Sequence, residues 1–299
     1  MDRLYTMAIF VAVVDEGGFA PAARKLNISP PVVTRAISDL EDSMGVRLLT
    51  RTTRIVTTTD AGARYVDDCR RILADVAEAE QAALGLHAEP RGRLVVTAPV
   101  MFGQMHVAPV VTAYLTRHPG TEVECRFLDR IVNLMEEGID VAVRLGKLAD
   151  SSFHAREVGR VRHIVCAAPA YLERHGKPTV PEALDGHVVI QATGITATSD
   201  WRFQEDGEAR TVRVTPRLVV NSNEAAMRAA RDGFGITRIL SYMAAPSLRD
   251  GSLVALLSDY APPPLPVSVV NREGRRSSAK VRTFVDLAAS TLRSALDEA

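Results

Sequence analysis

The chain has 299 residues, enough for about two domains, and its 46% hydrophobic content permits a substantial core. Its 36 lysines and arginines balance 36 aspartates and glutamates, so net charge gives no support for a nucleic-acid partner; a DNA-binding surface would need its basic residues segregated onto one face. No run of 18 apolar residues occurs and the start, Met1-Asp2-Arg3, lacks a signal-peptide pattern, so we expect no membrane partner and a cytoplasmic location.

Residues 10–51 carry the pattern of two short helices joined by a tight polar turn. Ala22, Ala23 and Leu26 share one helical face, and the small alanines allow a second helix to cross closely. Asn27-Ile28 supplies the turn, and its isoleucine is placed to fill the gap between the two helices. The pattern is typical of a helix-turn-helix.

The second of these helices has an apolar face and an exposed face. Val33, Ile37 and Leu40 recur at spacings of four and three, so we expect them to pack inward. Ser29 is predicted as the N-cap, and Pro30 suits the first position because its missing N–H would be unpaired anyway. Small and polar side chains on the first exposed turn suit base edges or phosphates in a major groove. Those predicted to face DNA are Ser29, Pro30, Pro31, Thr34, Arg35 and Ser38.

A hairpin and a long helix are predicted next. Residues 45–59 are rich in β-branched residues and arginines, which indicates a small hairpin, a wing, that contacts the DNA backbone through Arg51, Thr52, Thr53 and Arg54. From Ala61 to about Ala88 the chain is rich in helix formers and lacks proline, which predicts one long helix. A partial apolar stripe along it favours pairing with a second copy. The stripe comprises Val66, Leu73, Val76, Ala77, Ala83 and Leu84.

Beyond a hinge at residues 89–92, strands alternate with helices. This rhythm predicts an α/β unit with mainly parallel sheet covered on both faces. The predicted strands are 94–98, 122–127, 141–144, 163–168, 188–191, 212–220, 235–239 and 267–270, and the predicted helices are 107–117, 131–137, 223–231 and 278–296.

The chain resembles the LysR-type transcriptional regulators. The residues that carry the resemblance are Phe10, Gly18-Phe19, Ala22-Ala23, Leu26, Ser29, Val33-Thr34, Ile37, Leu40-Glu41, Gly45, Leu48-Leu49 and Arg51. Thr34 stands where the family usually has serine, Leu49 where it has phenylalanine, and Pro30 where it commonly has a polar residue. The resemblance continues to the C-terminus through residues 98–100, 140–146, 150–152, 166–172 and 280–286.

The resemblance implies an α/β fold class with an N-terminal winged helix-turn-helix, a long linker helix and a two-lobed effector-binding domain. The expected boundaries are 1–59 for the DNA-binding domain, 60–89 for the linker helix and 90–299 for the effector domain, with lobe I at 90–162 and 268–299 and lobe II at 163–267. The implied partners are double-stranded DNA, a small-molecule effector and further copies of the chain, as a homodimer or homotetramer. Activators and repressors share this layout.

An effector cleft is expected where strands end, because ligands of such sheets bind outside the carboxyl ends of the strands. Gly103 is predicted to open a helix, and helix N-termini attract anions. Arg144 is the charged candidate, so we expect a small organic acid with an apolar or aromatic body. Ser222 and Asn223 suit plain capping equally well, and Arg144 also suits a structural ion pair. Side chains such as Met101, Phe102 and Trp201 are more often core residues than ligand contacts. The family resemblance implies that the cleft is lined by Pro99, Val100, Met101, Leu128, Asp129, Arg144 and Thr193. Their places at strand ends and strand-to-helix junctions add Phe102, Ser222 and Asn223.

Catalysis is not indicated. Nucleophile-elbow, zinc-protease and P-loop motifs do not occur, so we expect no enzyme activity, catalytic residue, cofactor or metal. The widely spaced Cys69, Cys125 and Cys166 suit buried thiols better than a redox switch, and Cys125 is predicted to be core. An alternative is an α/β ligand-binding protein or enzyme whose chemistry resides in residues 90–299. A regulator should give a sequence-specific gel shift with DNA and no catalytic turnover, whereas an enzyme should turn over its substrate without DNA.

Overall fold

The structure is a computed structural model, and it describes residues 2–51, 56–83, 89–148, 153–194, 198–272 and 277–297. The chain divides into two units, Met1–Ala88 and Glu89–Ala299, each with its own core. Among the helices in these ranges, none combines the length and the apolar character that a membrane crossing requires.

The first unit packs three helices, a hairpin and a longer helix around one apolar core. The core includes Phe10 and Val13 from the first helix and Val33 and Ile37 from the third, all fully buried. The elements are α1 (Arg3–Asp15), α2 (Phe19–Leu26), α3 (Pro30–Met44), β1 (Leu49–Arg51), β2 (Val56–Thr58) and α4 (Asp60–Ala83).

The turn between α2 and α3 follows the prediction. Asn27 ends α2 in the left-handed conformation (φ 54°), which asparagine tolerates better than most residues. Ile28 is partly buried against the core, and Ala22 and Ala23 are fully buried where the helices cross. The predicted helix-turn-helix geometry is therefore confirmed.

The first half of α4 belongs to the core of its own unit. Val66 and Cys69 are buried there, Leu73 packs against the same cluster, and the Tyr65 ring lies 5.6 Å from the Phe10 ring. The prediction that the stripe serves a second copy is wrong for this half, because α4 begins directly after the wing and covers the helices before it. Val76 is half-buried and Ala77 exposed, while the Ala83 side chain and residues 84–88, Leu84 included, lie outside the described residues.

The second unit contains two lobes, each built on a five-stranded sheet. In lobe I the strand order is β4-β3-β5-β14-β6, where β3 is Gly92–Ala98, β4 Thr121–Phe127, β5 Val141–Leu145, β6 His154–Val161 and β14 Leu265–Asn271. Its helices are α5 (Val100–Phe102), a π-helical turn (Gly103–Val107), α6 (Ala108–Arg117) and the closing α10 (Ala279–Asp297).

In lobe II the strand order is β11-β8-β12-β7-β13, where β7 is His163–Ala167, β8 Val189–Ala192, β11 Pro216–Val220, β12 Ile236–Leu240 and β13 Val254–Leu256. The hairpin β9 (Asp200–Glu205) and β10 (Glu208–Arg213) packs on one face through Trp201 and Phe203. The lobe also contains α7 (Pro169–His175), α8 (Asn223–Arg231) and α9 (Ser241–Arg249), with short 3₁₀ turns at Pro181–Gly186 and Ser258–Tyr260.

Both sheets are mixed, so the prediction of mainly parallel sheet is wrong. In each sheet four strands run in one direction and the fifth, β14 or β7, runs against them, so two of the four pairings are parallel and two are antiparallel. The cause is the chain path, which enters lobe II between β6 and β7 and returns to lobe I between β13 and β14. A reading of strand and helix alternation does not detect these two crossings.

Three local predictions also differ from the structure. The predicted helix 131–137 is absent: residues 131–133 have no regular secondary structure and residues 134–138 form turns. The Asn133 Oδ1 accepts the Met135 N–H at 3.1 Å, which competes with helical hydrogen bonding. The predicted strand 212–220 is divided into β10 and β11 just before Pro216. Cys125 is exposed because β4 is an edge strand, whereas Cys69 and Cys166 are buried as expected.

Candidate DNA interface and effector cleft

The outer face of α3 carries the side chains predicted to meet DNA. Ser29, Pro30, Pro31, Thr34 and Arg35 are exposed and Ser38 is half-buried, whereas the inward residues Val33, Ile37 and Leu40 are buried. Val32 is also exposed, which the sequence reading missed because it followed only the inward face. A valine beside Thr34 and Arg35 suits an apolar contact with a thymine methyl group.

The polar groups on this face differ in what they already bind. Ser29 occupies the N-cap position, but its side chain makes no capping hydrogen bond. The next two residues are prolines and have no N–H to donate, and the Val32 N–H donates to the Ser29 carbonyl at 3.0 Å instead. The Thr34 hydroxyl donates to the Pro30 carbonyl at 3.1 Å and can still accept. The Arg35 Nε lies 3.9 Å from the Asp39 Oδ2 in an exposed ion pair. Such a pair is weak, so a DNA phosphate can take the place of Asp39 as the partner of Arg35.

Glu41 connects the recognition helix to the wing. Its carboxylate is buried and accepts the backbone N–H groups of Leu48 and Leu49 at 2.8 and 3.0 Å. These bonds fix the start of β1 relative to α3. Sequence reading recorded Glu41 only as part of a family motif, and its buried carboxylate explains why that position is acidic.

The wing is also anchored to the start of α4. The Thr59 hydroxyl donates to the Arg47 carbonyl at 2.8 Å and accepts the Gly62 N–H at 3.0 Å. A Cβ on Gly62 would lie 1.9 Å from the Leu48 carbonyl oxygen, so only glycine permits this approach. β1 and β2 form the predicted hairpin, with Arg51 opposite Val56. The Arg51 side chain and Thr52, Thr53 and Arg54 lie outside the described residues.

Residues from both lobes converge at one point of the second unit. The Asp129 Oδ1, from lobe I, accepts the Val100 N–H at 2.9 Å. A Cβ added to Gly194 in lobe II would lie 3.0 Å from Asp129 Oδ2 and 3.4 Å from Asn223 Nδ2. The structure thus brings Val100, Asp129 and Asn223 together beside Gly194, where the cleft was predicted.

The helix at this point starts earlier than predicted. It begins at Val100 with Pro99 at its N-cap position, and Gly103 lies inside the continuing helical segment. The first backbone N–H is already occupied by the Asp129 carboxylate. The anion-attracting end of this helix is therefore satisfied from within the chain.

Thr193 and Ser222 use their polar groups on the backbone. The Thr193 N–H and hydroxyl both donate to the Val220 carbonyl, at 2.8 and 3.3 Å. The Ser222 hydroxyl accepts the Ala225 N–H at 3.2 Å and caps α8. Asn223 is buried, and its Nδ2 has no hydrogen-bond partner within the described part of the chain. Of these three residues, Asn223 is the one with a buried side-chain donor that has no partner within the described part of the chain.

Phe102 is a core residue, which contradicts its predicted place on the cleft. It is fully buried, with ring centroids 5.1 Å from Tyr242 and 4.8 Å from His106. The helix start at Val100 turns this side chain toward the core. Met101 and Leu128 are half-buried and pack against the core clusters.

Arg144 has a structural contact. Its Nη2 donates to the Val132 carbonyl at 3.1 Å, and burial lowers its pKa against the opposing effect of Glu137. One of its donors is thus occupied by the segment that follows Asp129.

Arg238 is a half-buried cation that sequence reading missed. Its guanidinium carbon lies 4.9 Å from the Trp201 ring centroid, and a small cavity beside it is also lined by Gln191 and Asn223. Burial and the nearby Arg202 lower the pKa of Arg238 to about 10. Burial and Arg238 lower the pKa of His163 to about 4, so this imidazole is neutral at pH 7. The signal available in the sequence was an arginine inside the mostly apolar strand β12.

Comparisons with known proteins cover both units. Residues 4–63 match the model of the bacterial regulatory helix-turn-helix protein, lysR family, and residues 87–293 match the LysR substrate binding domain. An uncharacterized HTH-type transcriptional regulator of Haemophilus influenzae is 31% identical over 281 residues, covering 94% of this chain and 98% of that protein. An HTH-type transcriptional regulator of Xanthomonas campestris is 33% identical over 288 residues, covering 95% and 84%.

Solved structures of similar proteins share the arrangement of elements. CrgA, a LysR-type transcriptional regulator from Neisseria meningitidis, has a TM-score of 0.62 at 29% identity, with 98% of this chain and 99% of that chain covered. Full-length AphB from Vibrio cholerae has a TM-score of 0.61 at 29% identity, covering 97% and 99%. The chain therefore belongs to the LysR family: it is a DNA-binding transcriptional regulator with an effector-binding domain, and not an enzyme.

Proposed function

We propose that the outer face of α3 reads base edges in double-stranded DNA while the wing contacts the backbone. The observation that carries this proposal is the exposure of Thr34 and Arg35 opposite a fully buried inner face, with Glu41 fixing the wing beside them. A helix held in this way is suited to a major groove. DNA binding is assigned to residues 1–59, and the linker helix (60–89) and the effector domain (90–299) follow them along the chain.

The backbone contacts and the base contacts predict different salt behaviour. We expect Arg51→Ala and Arg54→Ala to weaken binding to all sequences alike and to reduce its salt dependence, since phosphate contacts carry no sequence information. Fluorescence anisotropy on specific and random duplexes, at several salt concentrations, measures both effects. Equal binding by wild type and both variants would refute the role of the wing.

We further propose that a small organic acid binds between the lobes beside Gly194. The Asn223 amide is a buried donor without a partner in the described residues, and Arg144 retains further N–H groups beyond the one on Val132. The half-buried Val100 and Met101 suit an apolar or aromatic body. The effector acts by binding one arrangement of the lobes more tightly than the other.

Calorimetric titration with benzoate and related aromatic acids tests the effector class, with benzamide as the uncharged control. We expect Arg144→Ala and Asn223→Ala each to weaken binding of the acid. Exposed Arg117 offers a control, Arg117→Ala, that leaves binding unchanged. Tight binding of benzamide alone, or unchanged affinity in both cleft variants, would contradict the proposal.

For the whole protein we propose a cytoplasmic homodimer or homotetramer that binds a two-fold-symmetric operator. An operator mirrors the symmetry of the protein that reads it. The portion of α4 beyond Leu73 supports pairing, since it extends past the core of the first unit with the half-buried Val76 among its residues.

A further inference from the structure

Three arginines surround a second cavity in lobe II, which we name the arginine pocket. Arg162, Arg202 and Arg238 line it together with His163, and Val165, Phe203 and Leu256 contribute to its apolar wall. Its volume is about 80 Å³, several times the roughly 10–15 Å³ that one water requires on the same measure. The pocket has room for a small polyatomic ligand.

The three guanidinium groups have no anion. Within the described residues none of them forms a hydrogen bond or ion pair, and no acidic side chain lines this cavity. Other arginines of the same unit are paired, such as Arg130 with Glu137 and Arg156 with Asp286. The like charges of Arg202 and Arg238 repel each other, and this repulsion together with burial lowers the pKa of Arg238.

The pocket lies against both connections between the lobes. Arg162 is the residue between β6 and β7, and its backbone N–H donates to the Ser241 hydroxyl at 3.3 Å. Ala261 and Pro262, also in the wall, belong to the segment that leads from β13 to β14. An occupant would therefore touch both segments on which any change in the angle between the lobes depends.

We propose that the arginine pocket binds a compact dianion, such as a phosphate group or a dicarboxylate, at the crossing between the lobes. Two negative charges match the neighbouring positive charges of Arg202 and Arg238, and guanidinium groups bind phosphate and carboxylate oxygens in bidentate fashion. Val100, Asp129, Gly194 and Asn223 of the cleft do not line the arginine pocket, whereas His163 and Arg238 line both this pocket and the small cavity beside Asn223. The dianion site goes beyond the proposed organic-acid effector and provides a second input to the balance between lobe arrangements.

The single tryptophan makes the test direct, since Trp201 stacks on Arg238. Full-length protein is titrated with inorganic phosphate and, separately, with succinate at constant ionic strength, following Trp201 fluorescence and the heat of binding. We expect saturable binding of at least one dianion. Saturation by phosphate alone assigns a phosphate-bearing ligand, and saturation by succinate alone assigns a dicarboxylate.

Variants distinguish the pocket from general anion binding. We expect Arg238→Gln, and the rim variant Arg202→Gln whose exposed side chain leaves the fold intact, to weaken binding at least tenfold. Arg217→Gln is the matched control, since Arg217 lies 5.7 Å from the Phe234 ring in the same lobe, outside the pocket. Asn223→Ala, which impairs the proposed cleft, leaves dianion binding intact. Binding of neither dianion, or equal affinity in wild type and Arg202→Gln, would overturn the proposal.

Discussion

At the scale of single residues, Glu41 determines how the DNA-reading surface is assembled. Because its carboxylate accepts two backbone N–H groups in a buried setting, we expect Glu41→Ala to lower the free energy of unfolding by about 2–3 kcal/mol. DNA affinity falls as well, since the wing loses its attachment to α3. Asp42→Ala, an exposed neighbour on the same helix, is the control. Denaturant unfolding that gives equal stability for both variants would contradict this role.

His163 predicts a specific pH dependence of stability. Its folded pKa of about 4 lies below the ordinary value of 6.5, so between these values the unfolded chain binds more protons. Stability conferred by the neutral imidazole is therefore complete above pH 6.5 and is lost as the pH falls toward 4. We expect about 2 kcal/mol of this loss between pH 7 and pH 5.

Denaturant unfolding of wild type and His163→Gln at pH 7 and pH 5 measures that difference. The variant should lose less stability than wild type over this interval, whereas His154→Gln, an exposed histidine, should follow wild type. His106 and His187, whose pKa values burial also lowers, contribute equally to every variant. A decline of the same size in wild type and His163→Gln would be the contrary result.

At the scale of elements, the wing depends on its close approach to α4. We expect Gly62→Ala to destabilise the first unit by about 3 kcal/mol, because its Cβ would overlap the Leu48 carbonyl and the backbone must shift. Gly186→Ala, where an added Cβ meets no atom within 4 Å, is the control. Thermal unfolding compares the two, and wild-type stability in Gly62→Ala would show that the wing can move at little cost.

Sequence patterns predicted elements well where the signal was local. The left-handed turn at Asn27 and the inward face of α3 depend on residues a few positions apart, and α8 was predicted with its observed bounds. The helix predicted at 131–137 does not form, because the Asn133 side chain competes for the Met135 backbone N–H. Helical periodicity does not register such competition.

At the scale of the whole molecule, the lobes and the cleft came from family resemblance rather than from residue patterns. Strand alternation alone missed the two crossings that make both sheets mixed. The surroundings of Arg238 depend on β12 meeting β7 and on the hairpin that carries Trp201, all distant in sequence. Asp129 was predicted at the cleft, but its bond to the Val100 N–H required the folded geometry.

Assembly is predicted at this same scale. We expect light scattering at micromolar concentration to give two or four times the 32.4 kDa of one chain. Val76→Asp places a charge on the outer part of α4 and should shift the mass toward one chain, whereas the exposed Glu80→Gln should not. A wild-type mass near 32.4 kDa would exclude pairing through α4.

The central claim, that α3 reads DNA sequence, is tested most directly by in vitro selection from random duplexes with the full-length protein. We predict that wild type and Arg117→Ala enrich the same two-fold-symmetric motif. Arg35→Ala should bind that motif more weakly, by roughly 1–3 kcal/mol, with relaxed specificity at one position of each half-site. Failure of wild type to enrich any motif, or enrichment of the identical motif with equal affinity by Arg35→Ala, would contradict the account.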